Sequence, residues 1–296
     1  MFLFLTTIRH PGNANNFDTI LKLLKHTIES VLQQQTQFEF KLVIVCNEIP
    51  QIDILSDKVH FHVVDFPPPG KEKANEQTLY NMQLDKGTKL ASGLIFAKQF
   101  SPTQVFIIDS DDWVNSHIVE YVMSNKQEHF WFADSGYLLN YSNKTYIRKY
   151  GLCRYCGTSF IYSYSILMQM LGLDKQLSNK LNQPDIIDAI AEFELLNILG
   201  NHRFQFGYFL KYDIRFKALP FKSICWILNT GENHSGKNGG DMGLPVTHEL
   251  LNDFGVVDEY SPSAKQATIK DILGEQIARI TSFLGWIRTN KKAYKV

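Results

Sequence analysis

Four short apolar runs constrain this chain more than any other feature. Residues 42–46 and 105–108 are continuously apolar, as strands buried on both faces are, and residues 2–7 and 59–64 read as two further strands. Between residues 7 and 42 Phe17, Ile20, Leu21, Leu24, Ile28, Val31 and Leu32 recur, mostly at spacings of three and four. That stripe predicts an amphipathic helix capped by Asn15 or Asn16. A Pro-rich turn at Pro67 to Gly70 and a charged stretch lead to a second helix carrying Leu90, Leu94 and Ala97. Strand, helix, strand, strand, helix, strand is the order of an α/β sheet with helices on its faces, and such sheets collect ligands at the carboxyl ends of their strands. Polar residues stand at those ends: Thr6, Thr7, Arg9 and His10 after the first strand, Asn47 and Glu48 after the second, Asp109 to Asp112 after the fourth.

The second half is less regular. It offers a strand over 158–162, a helix from about Asp185 to Leu199, a Gly-rich loop over 231–243 and a tail in which Ile269, Ile272, Leu273, Ile277, Ile280, Leu284 and Ile287 recur at helical spacing. Without a repeat or a low-complexity linker, the expected organisation is one main domain over 1–260 and a helical tail over 261–296.

Composition removes several classes. Thirty Lys and Arg against thirty Asp and Glu leave no basic excess for a nucleic-acid backbone. The longest apolar stretches, 90–97 and 105–108, fall well short of the ~18 residues of a membrane span. Residues 1–5 lack the basic region and length of a secretory leader, and four cysteines are too few for a disulfide scaffold, so a cytoplasmic protein is expected. Cys153 and Cys156 form a CxxC with no second pair, which reads as packing rather than zinc binding. The Asn-x-Ser/Thr triplets at Asn140, Asn143 and Asn233 read as chance matches.

The strongest chemical signal is Ile107-Ile-Asp-Ser-Asp-Asp-Trp113. Three carboxylates crowd the end of a buried strand, where like charges repel unless they share a cation. In extended backbone Asp109 and Asp111 point the same way and could face one hard divalent ion. The alternative is a solvated turn with Ser110 or Asp112 capping a following helix.

Here the chain resembles the glycosyltransferases of the A fold, particularly family-2-like bacterial enzymes that use nucleotide-sugar donors. The resemblance rests on TTIRHP closing the first strand, ESVLQQQ closing the first helix, VCNE closing the second strand, the Asp109-Ser110-Asp111 DxD, DKGTKLASGL over 85–94 and TGENHSG over 230–236. It covers roughly residues 1–245 and implies a mixed, mostly parallel sheet flanked by helices, followed here by the amphipathic tail. Asn47 and Glu48 stand where the commoner pattern is Asp-Gly-Ser.

The resemblance implies that Thr7, Arg9 and Glu48 line a nucleotide pocket, that Asp109 and Ser110 meet the ribose or the ion, and that Asp111 ligates Mn²⁺ or Mg²⁺. His234 is the matching candidate for a further ligand, with Asn233 and Ser235 beside it for diphosphate oxygens. Lys86 and Lys89 flank a glycine and are expected at a helix entry, where a cation and free amides hold phosphate. Gly157, with Thr158 and Ser159, resembles the segment lining the donor sugar. For the base that takes the acceptor proton, Asp188 is the first candidate and His202 the second, Asp185, Asp188 and Glu192 being expected on one helix face. A surface salt bridge is the alternative for Arg9, solvation for the lysines, an open loop for His234 and a wet acidic face for Asp188.

The expected function is therefore metal-dependent sugar transfer from a nucleotide sugar, a UDP-sugar being preferred, to a hydroxyl of a saccharide or lipid-linked acceptor in surface polysaccharide or glycoconjugate synthesis. The rivals are a sugar-phosphate nucleotidyltransferase, which would want a glycine-rich basic loop after the first strand, and a noncatalytic member of a polysaccharide-assembly complex. The tail stripe ends in Arg288, Lys291, Lys292 and Lys295. It is expected to dock on the domain's own core, on a second copy, or peripherally on the inner face of a membrane.

Overall fold

The computed structural model describes residues 1–70, 76–125, 127–174, 182–232, 243–256 and 260–293. In chain order the elements are β1 (Phe2–Thr7), α1 (Phe17–Leu32), β2 (Phe40–Cys46), β3 (Val59–Val63), α2 (Glu76–Ala97), β4 (Gln104–Ile107), β5 (Trp113–Val114), α3 (Ile118–Ser124), β6 (Trp131–Phe132), β7 (Ser135–Asn140), β8 (Thr145–Tyr150), β9 (Phe160–Ser163), α4 (Tyr164–Met170), α5 (Gln183–Ala189), α6 (Glu192–Glu194), α7 (Gln205–Leu210), β10 (Lys217–Ala218), β11 (Ile224–Leu228), β12 (Leu244–Pro245), α8 (His248–Asp253) and α9 (Ile269–Ala293). A π-helical turn, Leu195–Leu199, continues α6.

The four expected strands pair in one seven-stranded sheet of order β10-β6-β9-β4-β1-β2-β3. β1 is parallel to both β2 and β4, β2 to β3 and β10 to β6, while β9 runs antiparallel to β4 and β6. The α/β class and the mixed, mostly parallel sheet flanked by helices are therefore as expected. Alternation explains why the strands are apolar throughout. Phe2, Phe4, Leu42, Ile44 and Phe106 face α1, whose Asn16 cap accepts from the Thr19 amide, and Leu3, Leu5, Val43, Val45 and Val105 face α2. Each such side chain contributes about 1.5–3 kcal/mol of burial. Gly93 lets α2 approach β1 and β2, since a methyl there would strike the side chains of Leu5 and Val45.

A second sheet, β12-β8-β7-β11-β5, was not anticipated. The chain passes from one sheet to the other across residues 109–112, between β4 and β5. The extended backbone expected for Asp109 and Asp111 is instead a turn, with the Asp112 amide donating to the Asp109 carbonyl at 3.3 Å. β5 follows, so no helix is capped there.

Two further expectations are corrected. The helix carrying Leu90 starts at Glu76, so Lys86, Gly87 and Lys89 lie inside it rather than at its entry, and their amides are not offered to a phosphate as helix-end amides are. The helix expected over 185–199 breaks at Ile190, which is extended (φ −115°, ψ 135°), so Asp185 and Asp188 do not share a continuous face with Glu192. Asp185 forms the N-terminal capping box of α5 with Asn182.

Candidate active site

Parallel register brings the ends of β1, β2 and β4 to one edge, Leu5 opposite both Val43 and Ile107. The 109–112 turn sits there and is tied from several sides. Thr27 of α1 donates its hydroxyl to the Ser110 carbonyl at 3.0 Å, and the Asp109 amide donates to Thr158 Oγ1 at 2.8 Å. Asp112, fully buried, accepts from Thr158 Oγ1 at 2.6 Å, from the Cys156 thiol at 3.1 Å and from the Ile227 amide of β11 at 3.0 Å. It stitches the two sheets together, and its burial, with Asp111 and Asp109 beside it, pushes its pKa well up. Both cysteines of the CxxC are buried thiols, as the packing reading expects.

Asp109 and Asp111 remain half-buried on the open side. Lys86 donates to Asp109 Oδ1 at 2.5 Å. Burial opposes the Lys86 charge, but Asp109, then Asp111, outweigh it and hold the proton above the usual lysine range. Burial and the adjacent Asp109 carboxylate push the Asp111 pKa up to about 7, against the pull of Lys86 and Arg9. Gly157 lies against Asp109: a methyl there would overlap its carboxyl group.

Arg9, after β1, is held by Glu232. Its Nη1 donates to Glu232 Oε2 and its Nη2 to the Glu232 carbonyl, both at 2.7 Å. Glu232 also accepts from the backbone amides of Asn16, at 2.6 Å, and Asn15, at 3.3 Å, at the positive end of α1. Arg9 is thus neither a surface salt bridge nor a lone anion binder. Burial lowers its pKa, with Glu232 first and Asp111 second opposing that effect. Sequence reasoning missed Glu232 although it lies within TGENHSG. The available signal was a carboxylate with no other role in a motif rich in neutral ligands.

The two lysines divide. Lys86 reaches the cluster, whereas Lys89 is fully buried, paired with Asp85 at 3.0 Å and donating to the Ile8 carbonyl at 3.1 Å. Burial pushes Lys89 down and Asp85 up, so this pair is a strut beneath β1 and not a phosphate contact. Thr7 is half-buried at the end of β1, and Glu48 is exposed at the end of β2.

Of the two base candidates, Asp188 is exposed on α5. His202 is brought to the cluster by close packing of the π turn against α2. A methyl on Gly87 would strike the Leu195 carbonyl, and one on Gly200 the Gln83 carbonyl. Burial lowers the His202 pKa to about 4, opposed by Asp109 and reinforced by Lys86, so the imidazole is neutral at pH 7. Its Nε2 has no hydrogen-bond partner among the described residues.

A divalent cation fits this arrangement on chemical grounds. Two hard oxygen donors sit side by side, Asp111 with its proton affinity raised by burial and then by Asp109, and an ammonium is already drawn to Asp109. Among the described residues no three His, Cys, Asp or Glu side chains are grouped so as to hold an ion. The expected further ligand His234, with Asn233 and Ser235, lies outside the described residues. A separate open groove of about 730 Å³, lined by His117, Tyr121, Tyr137 and Phe221 among others, shares no lining residue with this cluster.

No protein-family model matches the chain, and no curated protein matches it. Among solved structures it is similar to Staphylococcus aureus TarS 1–349, with 14% identity over 76% of this chain and 60% of that one and a TM-score of 0.40. It is also similar to a putative nucleotide-diphospho-sugar transferase from Desulfovibrio desulfuricans G20, with 11% identity, 76% and 80% coverage and a TM-score of 0.34. A third is 4-diphosphocytidyl-2C-methyl-D-erythritol synthase from Anaerococcus prevotii, with 9% identity, 74% and 86% coverage and a TM-score of 0.36. The chain thus spans less than two thirds of the TarS fragment it matches.

Proposed function

We propose that this chain is a metal-dependent glycosyltransferase of the A-fold type, moving a sugar from a nucleoside-diphosphate sugar to an acceptor hydroxyl. The observation that carries this reading is the half-buried pair Asp109 and Asp111 at the carboxyl edge of β4, flanked by Lys86, Arg9 and His202. Mn²⁺ or Mg²⁺ held by Asp109 and Asp111, with His234 as a further ligand, would supply a counter-charge for the departing diphosphate. Ser110, Thr7 and Glu48 stand along the same edge for the nucleoside, and Gly157 leaves room for the donor against Asp109.

In this reading the acceptor oxygen bonds to the anomeric carbon as the carbon–oxygen bond to the diphosphate breaks. His202 Nε2 takes the acceptor proton. A ring kept neutral by burial has its lone pair available, and a diphosphate anion nearby would raise its basicity on the same side as Asp109 does. Asp188 is the alternative base, and Lys86 orients Asp109. UDP-hexoses are the preferred donors, and a saccharide or lipid-linked hydroxyl of a surface polysaccharide or glycoconjugate is the proposed acceptor.

A thermal-shift screen of nucleotides and nucleotide sugars with and without Mn²⁺ tests the reading, because a bound ligand stabilises in proportion to the logarithm of its concentration over its dissociation constant. Stabilisation by UDP or a UDP-sugar that needs the ion and is lost in Asp111→Asn supports it. Stabilisation instead by a nucleoside triphosphate with a sugar phosphate would assign nucleotidyl transfer, and undiminished Mn²⁺-dependent binding by Asp111→Asn would overturn the metal assignment.

A further inference from the structure

The tail helix α9 is 25 residues long, and its apolar stripe points away from the protein. It docks through its other side. Arg148 of β8 donates twice to Glu275, at 2.6 Å from both Nε and Nη2, and Glu275 is fully buried. Ser282 accepts weakly from the Tyr150 amide at 3.5 Å, and Trp286 lies beside Gly151. Thr268 and Asp271 close the helix start with reciprocal hydrogen bonds of 3.0 and 3.2 Å. The expectation that the stripe itself packs on the domain core is thereby corrected. Ile269, Leu273, Ile277, Ile280, Phe283 and Leu284 are all exposed, Ile277 by 65%. No helix among the described residues is long and apolar enough to cross a membrane.

We propose that α9 lays this face on an anionic lipid surface. At about 100° per residue the exposed apolar side chains, Ile272 included, span an arc of about 140°, wider than the two-position seam of a coiled coil. Its borders are cationic: Lys270 and Arg288 are exposed, and Arg279 is half-buried on the other side. Both acids of the segment, Asp271 and Glu275, are occupied by the helix cap and by Arg148. In a chain whose formal net charge is zero, residues 268–296 carry six Lys and Arg against those two acids. Two copies meeting through this face would set like charges against each other with no acid to answer them. Anionic headgroups answer them directly, while the apolar side chains enter the headgroup–acyl boundary.

The test needs neither nucleotide nor activity, so it stands or falls apart from the proposed function. The 296-residue chain is sedimented with phosphatidylcholine vesicles, with and without phosphatidylglycerol, at low and high salt. Binding is expected to the anionic vesicles only and to weaken with salt. Lys270→Glu with Arg288→Glu should lower the partition coefficient by about ten-fold or more, at roughly 1 kcal/mol per cationic residue near the surface. Ile277→Asp with Ile280→Asp should abolish it, and because those side chains are exposed the melting temperature should hold. Equal binding to neutral vesicles, or none by the unaltered chain at low salt, overturns the proposal. So does sedimentation equilibrium in which the unaltered chain is a dimer and Ile277→Asp with Ile280→Asp is a monomer while vesicles are ignored.

Discussion

Gly87 and Gly200 face one another across two helical segments: a methyl group on Gly87 would come within 3.4 Å of the Gly200 amide nitrogen and closer still to the Leu195 carbonyl. Neither neighbour is a flexible side-chain end. The contact brings Lys86, one residue before Gly87, and His202, two residues after Gly200, within electrostatic reach of Asp109. Backbone spacing alone thus decides that a lysine and a histidine 116 positions apart share one carboxylate.

Gly200→Ala should therefore destabilise by about 1–3 kcal/mol, as forced overpacking does. It should also weaken donor binding, because α2 and the π turn must separate. Thermal melts and nucleotide titrations measure both. Unchanged melting with unchanged binding would mean that the two segments part without consequence for the cluster.

Lys86→Gln separates two roles of the ammonium. Without a divalent ion the variant takes the ammonium away from Asp109 while Arg9 still pulls on Asp111, and it should lose about 1–3 kcal/mol, between the values for exposed and fully buried pairs. With Mn²⁺ the ion no longer competes with an ammonium, so the metal-induced rise in melting temperature should exceed that of the unaltered chain. A smaller rise would make Lys86 a helper in metal binding and not a rival for the same oxygen.

The strands of the first sheet, α1 with its Asn16 cap, and the carboxylates at the end of β4 were legible because each follows from local periodicity or from charge against an apolar background. The start of α2 was not, since Glu76 to Asp85 shows no apolar stripe, and the segment is helical because its second half packs on β1 and β2. The strands β5, β6, β10 and β12 are two residues each and exist only through their pairing partners. Leu195–Leu199 reads as ordinary helix, and nothing local announces the extended Ile190 before it or the wider turn that seats Gly200 on α2. At the candidate site the clustered acids stand out by charge alone, whereas Arg9 is singled out through the family resemblance. Glu232 escaped because its partner is 223 positions away, and Lys89 was misread because a charge buried within a helix looks, in sequence, like one on its surface.

Arg9 and Glu232 should behave as a coupled pair. Glu232 is buried and accepts four hydrogen bonds, three on its carboxylate and one on its carbonyl, so Glu232→Gln removes the countercharge of Arg9 beside Asp111 and weakens the join between β1, α1 and the segment that leads to His234. A double-mutant cycle with Arg9→Gln, read by denaturant melts, should give a coupling of about 1–3 kcal/mol. Additive losses would show that the two side chains act independently.

Gly157→Ala should be cheap for the fold and costly for binding. The atoms its methyl would meet belong to the Asp109 carboxyl group, a side-chain end that can swing away. Melting should fall by less than about 1 kcal/mol, within the usual range of a tolerated substitution. Moving Asp109 off its line to Lys86 should weaken Mn²⁺-dependent nucleotide binding by about ten-fold or more. Intact binding would put the donor elsewhere.

The last expectation concerns pH and His202. Its folded pKa of about 4 lies below the ordinary 6.5, so the unfolded chain takes up a proton that the folded chain refuses. The stability this group contributes is complete above about pH 6.5 and is lost as pH falls toward 4. His202→Gln removes that ionisation, so the difference in stability between the unaltered chain and the variant should shrink as pH drops through this window and stay constant above it. Turnover is to be measured alongside. If His202 takes the acceptor proton, His202→Gln lowers kcat at every pH while donor affinity holds, and Asp188→Asn leaves kcat intact. The reverse pattern assigns the proton to Asp188 and leaves His202 as a half-buried neutral ring beside the cluster.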